Sequence, residues 1–151
     1  MTVTGTILLV QTAAVWFMTG TIWTMQVLNY PLLAKVGTDA VPAYETAHNR
    51  RFVGVVGPPT LVAVVTTVLL LTVGPDELGW AGPVAAAVLL VVVIVSTARF
   101  QAPAHGRLAQ GFDAATHAGL VRGNWVRTAA WTLLGLVDLA MLVQLASGVT
   151  A

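Results

Sequence analysis

The sequence contains no cysteine and few charged residues. Of its 151 residues only 9% are Asp, Glu, Lys or Arg, whereas soluble domains carry about 25%. Without cysteine the chain forms no disulfide bond, thiolate metal site or cysteine nucleophile. The shortage of charge excludes a soluble enzyme, a disordered protein and a nucleic-acid-binding protein, which needs clustered Lys and Arg.

Apolar residues make up most of the chain. They account for 57% of the chain, and the mean hydropathy is +0.84. Four runs reach the roughly 20 residues that a membrane-crossing helix needs; barrel strands are shorter, at about 10 residues. The sequence therefore predicts an all-α, multi-pass four-helix bundle in the cell membrane, a single domain over 1–151 with spans at about 5–28, 52–73, 83–100 and 125–146.

The basic residues predict an orientation. All seven lie in or beside the first and third loops, whereas the second loop carries Asp76 and Glu77 and nothing basic. The positive-inside bias places the first and third loops in the cytoplasm and both termini outside. Since nothing before Lys35 is basic and the first apolar run is long, we expect a permanent helix and not a cleaved signal.

The first span carries a stripe of polar and aromatic residues spaced by four and three, which puts them on one helical face: Thr12, Trp16, Thr19, Trp23, Gln26 and Tyr30. Such a face is expected to point into the bundle. It favours either interhelical hydrogen bonding or one wall of a pocket for a flat aromatic ligand. In the pocket, Trp16 and Trp23 would stack on the ligand, and Gln26 and Tyr30 would be polar handles.

The fourth span carries a matching stripe if its helix begins at Asp113, a candidate N-cap. The members are Asp113, His117, Val121, Asn124, Thr128, Trp131, Gly135 and Asp138. Trp131 would add to the substrate-binding surface. Asp138 lies near mid-membrane, where inserting a carboxylate costs free energy and such a residue commonly has a function. It is therefore predicted either as a proton relay or as a partner of Gln11 or a threonine hydroxyl.

The second span is expected to extend back towards its loop and to bend. A helix starting between Asp39 and Pro42 would carry Glu45 and His48 into the span. Further along, Pro58 and Pro59 follow Gly57, and two successive missing backbone donors predict a kink.

Three histidines fall near one end of the predicted bundle, and two acids accompany them. His48 follows Glu45 at the Glu-x-x-His spacing of carboxylate-bridged metal sites, His117 follows Asp113 by four residues, and His105 lies in the third connection. A single such motif favours a mononuclear site, with His48, His105, His117 and Glu45 holding copper or iron, less favourably zinc. Haem held by His48 and His117, no cofactor at all, and simple interfacial hydrogen bonding are the alternatives.

Arg127 and Asn124 stand together at the loop end of the fourth span. The forked donors of arginine suit a planar oxyanion, so the two residues are predicted to stabilise an enolate or phenolate oxygen, with Asp113 as a further catalytic acid. The alternative for Arg127 is snorkelling to the interface.

Several short segments carry a family resemblance. The first helix ends in Asn29-Tyr30-Pro31, the second contains Pro58 and Pro59, and the late segment reads Pro103-Ala104-His105-Gly106-Arg107-Leu108, then Asn124-Trp125-Val126-Arg127. Over most of its length the chain thus resembles the small four-helix membrane proteins of the anthrone-oxygenase-like family, although many relatives have Asn where this chain has His105.

This resemblance implies a membrane oxygenase that uses dioxygen to oxidise an anthrone to an anthraquinone. Residue by residue it extends to His105, Leu108, Asn124 and Arg127. The general shape is also similar to small haem-binding membrane bundles of the protoporphyrinogen-oxidase-like and copper-resistance families.

Two functional hypotheses follow. The first is a membrane oxygenase or oxidoreductase acting on a hydrophobic, aromatic small molecule at the cytoplasmic end of the bundle. The second is a non-catalytic transporter, ligand-binding protein or haem-binding subunit that uses the polar stripes and Asp138. Gly119 and Gly123 form a small-xxx-small pair that would serve a homo-oligomer.

Overall fold

A computed structural model describes residues 2–148 as four long helices, with no strand in that part of the chain. All four are long and apolar enough to cross a membrane: α1 (Val3–Leu33), α2 (Val41–Val73), α3 (Ala81–Leu108) and α4 (Ala114–Ser147). A one-turn helix, Pro75–Leu78, connects α2 to α3. The predicted all-α membrane bundle is confirmed.

Successive helices run antiparallel. The Thr4 hydroxyl donates to the Val73 carbonyl (3.3 Å), and the Gln144 amide donates to the Leu78 carbonyl (3.2 Å). These bonds join the start of α1, the end of α2 and the end of α4 at one end of the bundle. The opposite end, which we call the basic end, holds the connections at 34–40 and 109–113 and carries the basic side chains.

The bundle is apolar inside and outside. Its core contains Leu8, Ile22, Leu70, Leu90 and Leu134, all buried. Many valines and leucines face outward, which is favourable only in lipid. Helix α1 packs extensively on α2 and α4, and α3 packs on α4, whereas α2 and α3 are less closely packed against each other. An apolar cavity lies in this looser seam.

The helix ends follow local chemistry. The Asp113 carboxylate accepts from the Thr116 backbone N–H at 2.6 Å, so the predicted N-cap of α4 is confirmed. Gly148 ends α4 in the left-handed conformation that glycine adopts without strain. Helix α2 begins at Val41, with Ala40 as its N-cap, and remains helical through Pro58 and Pro59.

Two helices extend further than predicted, through a proline. We expected α1 to end near Leu28, before Pro31, and α3 to end near Phe100, but they reach Leu33 and Leu108. In each, a π-helical turn precedes the proline by one residue, Met25–Asn29 before Pro31 and Thr97–Gln101 before Pro103. The wider turn re-pairs the backbone around the missing N–H, so the helix continues.

Candidate functional site

A buried chain of side chains crosses the bundle near the basic end. The Glu45 carboxylate lies 2.7 Å from His105 Nδ1, and His105 Nε2 lies 3.1 Å from the Tyr30 hydroxyl. Glu45 belongs to α2, His105 to α3 and Tyr30 to α1, and all three are buried. We call this chain the relay.

The relay has one consistent protonation pattern when its ring is neutral. An ionised carboxylate only accepts hydrogen bonds, so His105 Nδ1 carries the proton and donates it to Glu45. His105 Nε2 then accepts from the Tyr30 hydroxyl. This is the arrangement in which an acid orients an imidazole and the imidazole withdraws a proton from a hydroxyl.

Helix α4 completes the site. The Arg127 guanidinium lies near the Tyr30 hydroxyl, and its Nη1 donates to Asn124 Oδ1 at 3.2 Å. Asn124 Nδ2 donates in turn to Gln26 Oε1 at 2.9 Å. Each of the four helices therefore contributes at least one buried polar side chain to a single network.

The π-helical turn in α3 sets the register of the relay. The inward-facing residues of α3 step by three or four up to Ser96 and then by five to Gln101. A regular helix would instead turn Phe100 inward, but Phe100 faces outward. The extra residue brings Gln101 and His105 onto the inner face, one turn apart.

An apolar cavity of about 480 Å³ lies between α2 and α3 beside this network. Its walls include Val56, Val64 and Val93, and α4 contributes Arg127 and Trp131. Arg127 thus lies beside the relay and also lines the cavity.

The predicted metal ligands make other contacts in the structure, and a metal at this end stays a prediction. Both ring nitrogens of His105 are engaged by Glu45 and Tyr30, and His117 Nε2 lies 2.8 Å from the Tyr30 carbonyl oxygen. His48 stacks on the His105 ring with centroids 5.7 Å apart, and Glu45 pairs with His105 instead of His48. No group of three or more potential ligands is arranged around a common point within residues 2–148.

The prediction that the whole α1 stripe faces the interior is wrong for its tryptophans. Gln26 and Tyr30 are buried, but Trp16 and Trp23 are 38% and 40% exposed. Their rings cover the outer edge of the α1–α4 seam: Trp23 Nε1 donates to Thr132, and Trp16 lies against Gly135, which has no side chain to block it. At such a seam an indole can hydrogen-bond its N–H to the neighbouring helix while its ring faces lipid. Helical periodicity placed both tryptophans on the same face as Gln26 and Tyr30, but it could not show that they lie at the outer edge of that face.

The α4 stripe is confirmed from Asn124 onward. Asn124, Thr128, Trp131 and Asp138 are buried on one face. Asp113 is exposed as the helix cap and lies apart from the relay, so its surroundings give no support to a catalytic role.

Asp138 is paired far from the relay. It is fully buried, and its Oδ1 accepts from Gln11 Nε2 at 2.7 Å, while Gln11 Oε1 accepts from Thr67 at 3.1 Å. The predicted pairing with Gln11 is confirmed. Asp138 Oδ2 has no partner among the described residues.

The glycine pair predicted for oligomerisation does not form one outward face. Gly119 is open, but a side-chain carbon at Gly123 would meet the Gln101 amide at 3.1 Å within the same chain.

Sequence reasoning missed Gln101 and the α2–α3 cavity. Gln101 is buried, and neither of its amide atoms has a partner within the described part of the chain. The sequence marks it only as a polar residue four positions before His105. The cavity had no sequence signal, because apolar lining residues look like core. Comparisons with family models, with curated proteins and with solved structures find no match for this chain.

Proposed function

We propose that the protein is a membrane-embedded oxidoreductase of the oxygenase type, acting on a hydrophobic, aromatic substrate that carries an acidic C–H beside a carbonyl or phenol. The observation that carries the proposal is the position of Arg127, which lies near Tyr30 of the relay and also lines an apolar cavity. The proton-transfer groups of the relay and an apolar cavity suited to a lipid-soluble molecule are thereby both adjacent to one residue.

The relay supplies the base. Glu45 orients His105, and His105 Nε2 takes the Tyr30 proton as the phenol takes one from the substrate. Arg127 stabilises both the Tyr30 phenolate and the substrate oxyanion, because a guanidinium remains charged and donates in several directions. Asn124 holds the Arg127 guanidinium in position.

The oxidation then needs only dioxygen as the oxidant. In an anthrone, the deprotonated methylene carbon gains one oxygen atom and becomes a carbonyl. The second oxygen atom leaves as water with the two methylene hydrogens. The reaction is written with no metal step, because the base and the oxyanion donors that it needs are all side chains of this chain.

The test compares the two tyrosines of the chain. Tyr30→Phe removes the hydroxyl of the relay, whereas Tyr44→Phe removes one that accepts only from Asn29. Purified protein in lipid vesicles is given anthrone, and oxygen uptake and anthraquinone formation are followed. We expect Tyr30→Phe and His105→Ala to lower kcat by about 10²- to 10⁴-fold and Tyr44→Phe to keep near-normal turnover.

Two results would overturn the proposal. One is a wild-type protein that oxidises no anthrone. The other is a folded Tyr30→Phe variant, with an unchanged circular dichroism spectrum, that turns over as fast as the wild type.

A non-catalytic transporter is the second candidate, and Asp138 is the observation that favours it. A fully buried carboxyl group, with one oxygen that has no partner among residues 2–148, is the kind of group that carries protons in transporters. If it does so here, Asp138→Asn abolishes proton uptake into vesicles, whereas the enzyme hypothesis predicts unchanged anthrone oxidation.

A further inference from the structure

The α2–α3 cavity opens sideways, at the level of the spans. Leu61 and Ile94 stand at its rim and are 63% and 45% exposed. Both helices are apolar at this height, and their seam is the least closely packed in the bundle. A molecule dissolved in the bilayer therefore reaches the cavity without crossing the aqueous interface.

Two residues that line this cavity each carry a buried hydrogen-bond donor. Arg127 Nε and Trp131 Nε1 are buried, and neither is bonded within residues 2–148. They are four residues apart on α4, hence on one helical face, and both side chains line the cavity. A buried unsatisfied donor is costly and uncommon in native proteins, so the pair indicates an acceptor that comes with a ligand.

We propose that this cavity binds the substrate, which enters sideways from the bilayer and is a flat apolar molecule with an oxygen acceptor at one end. Trp131 Nε1 and Arg127 Nε donate to that oxygen, and the apolar walls surround the ring system. That the bound molecule is a substrate rests on the proposed function, but the binding site itself is testable without turnover.

A phospholipid acyl chain is the competing occupant. It would fill the apolar space and leave both donors unbonded, so it accounts for the shape of the cavity and not for its polar side. The difference gives the experiment a matched pair of probes, 2-naphthol and naphthalene, which share a ring system and differ in one oxygen.

The first measurement is equilibrium binding of tritiated 2-naphthol and naphthalene to protein in lipid vesicles, corrected with empty vesicles. Trp131→Phe removes the indole N–H, and Trp125→Phe is the control, since Trp125 faces outward on the same helix. We expect Trp131→Phe to weaken 2-naphthol roughly 3- to 10-fold and to leave naphthalene unchanged. Equal binding of the two probes to the wild type, or equal effects of Trp131→Phe on both, would overturn the proposal in favour of an acyl-chain groove.

The second measurement fixes the location. Ala98 lines the cavity, whereas Ala129 faces outward on α4 away from it. Ala98→Phe should obstruct the cavity and abolish 2-naphthol binding, and Ala129→Phe should not. If the obstructed variant is folded and still binds 2-naphthol with wild-type affinity, the site is elsewhere.

The relay variant separates this inference from the proposed function. His105→Ala should still bind 2-naphthol while failing to oxidise anthrone. If 2-naphthol binding depends on Trp131 but the wild-type protein oxidises no anthrone, the binding site in the cavity stands and the oxygenase proposal is overturned. If Ala98→Phe still oxidises anthrone, the oxygenase proposal stands and the cavity is not the substrate site.

Discussion

Arg127 and Asp138 are ionisable side chains inside the spans, and each is stabilised in a different way. On insertion scales such a residue costs about 2.5–3.5 kcal/mol at the centre of a helix. Arg127 offsets part of this cost with Asn124 and Tyr30. Among residues 2–148, Asp138 is hydrogen-bonded only to Gln11. The first residue therefore belongs to an extended network and the second to a local pair.

The Asp138 pair gives a prediction at this scale. Asn keeps an acceptor for Gln11 and removes the charge, so Asp138→Asn should be at least as stable as the wild type. Asp138→Leu leaves the Gln11 amide without its acceptor and should lower the free energy of unfolding by about 1–3 kcal/mol. Thermal unfolding in detergent measures both variants.

Anthrone oxidation is the control for the same variants. Along α4, Asp138 lies about 16 Å from Arg127 at 1.5 Å per residue, so Asp138→Asn should oxidise anthrone normally. Loss of oxidation in this variant would mean that Asp138 takes part in proton transfer at the site.

At the scale of the element, helix ends and π-helical turns decide which side chains meet. The α1 and α3 π-helical turns let both helices pass a proline and deliver Tyr30 and His105 to the same level. Helix α4 reaches that level from the other side because it starts well outside the apolar run, at the Asp113 cap.

The Asp113 cap predicts a pH dependence. Hydrogen bonds from the side chain and backbone of Thr116 hold the pKa of Asp113 below its ordinary value of 3.8. A lowered folded-state pKa means that the stabilisation is complete above the ordinary value and is lost as the pH falls below it, through the folded-state pKa. Asp113→Ala should therefore unfold at a lower temperature than the wild type at pH 7, with the difference shrinking near pH 3.

Asp113→Asn is the matched variant, because asparagine caps helices about as well as aspartate. It should lie close to the wild type at pH 7. Circular dichroism melting curves between pH 3 and 7 make the comparison, and a pH-independent gap between Asp113→Ala and the wild type would show that ionisation of the cap adds nothing.

At the scale of the whole molecule, charge is divided between the two ends of the bundle. The connections at 34–40 and 109–113 share the basic end, and Asp76 and Glu77 lie in the one-turn helix at the opposite end. The positive-inside bias then predicts that the relay lies near the cytoplasmic face.

Single cysteines test this orientation without background, because the chain has none of its own. Asp76→Cys and Gln110→Cys replace exposed residues at opposite ends. In intact cells a membrane-impermeant maleimide should label Asp76→Cys at once and Gln110→Cys only after permeabilisation. The reverse pattern would place the relay on the outer side.

The sequence determined the number of spans, the all-α class and the inner face of α4, because these depend on apolar run length and on a period that any helix obeys. It also identified Tyr30, Glu45, His105, Asn124 and Arg127, since polar residues are rare in such a chain. It did not pair them. The Glu-x-x-His spacing suggested that Glu45 and His48 act together, whereas Glu45 pairs with His105 across 60 residues.

Only the tertiary structure decided that pairing, the outward turn of Trp16 and Trp23, and the cavity between α2 and α3. Helical periodicity fixes which residues share a face but not which neighbour that face meets, and a π-helical turn shifts the register after it by one residue. The opening beside Arg127 and Trp131 depends on how closely two apolar helices approach each other. That distance is set by the packing of all four helices together and leaves no mark in either helix alone.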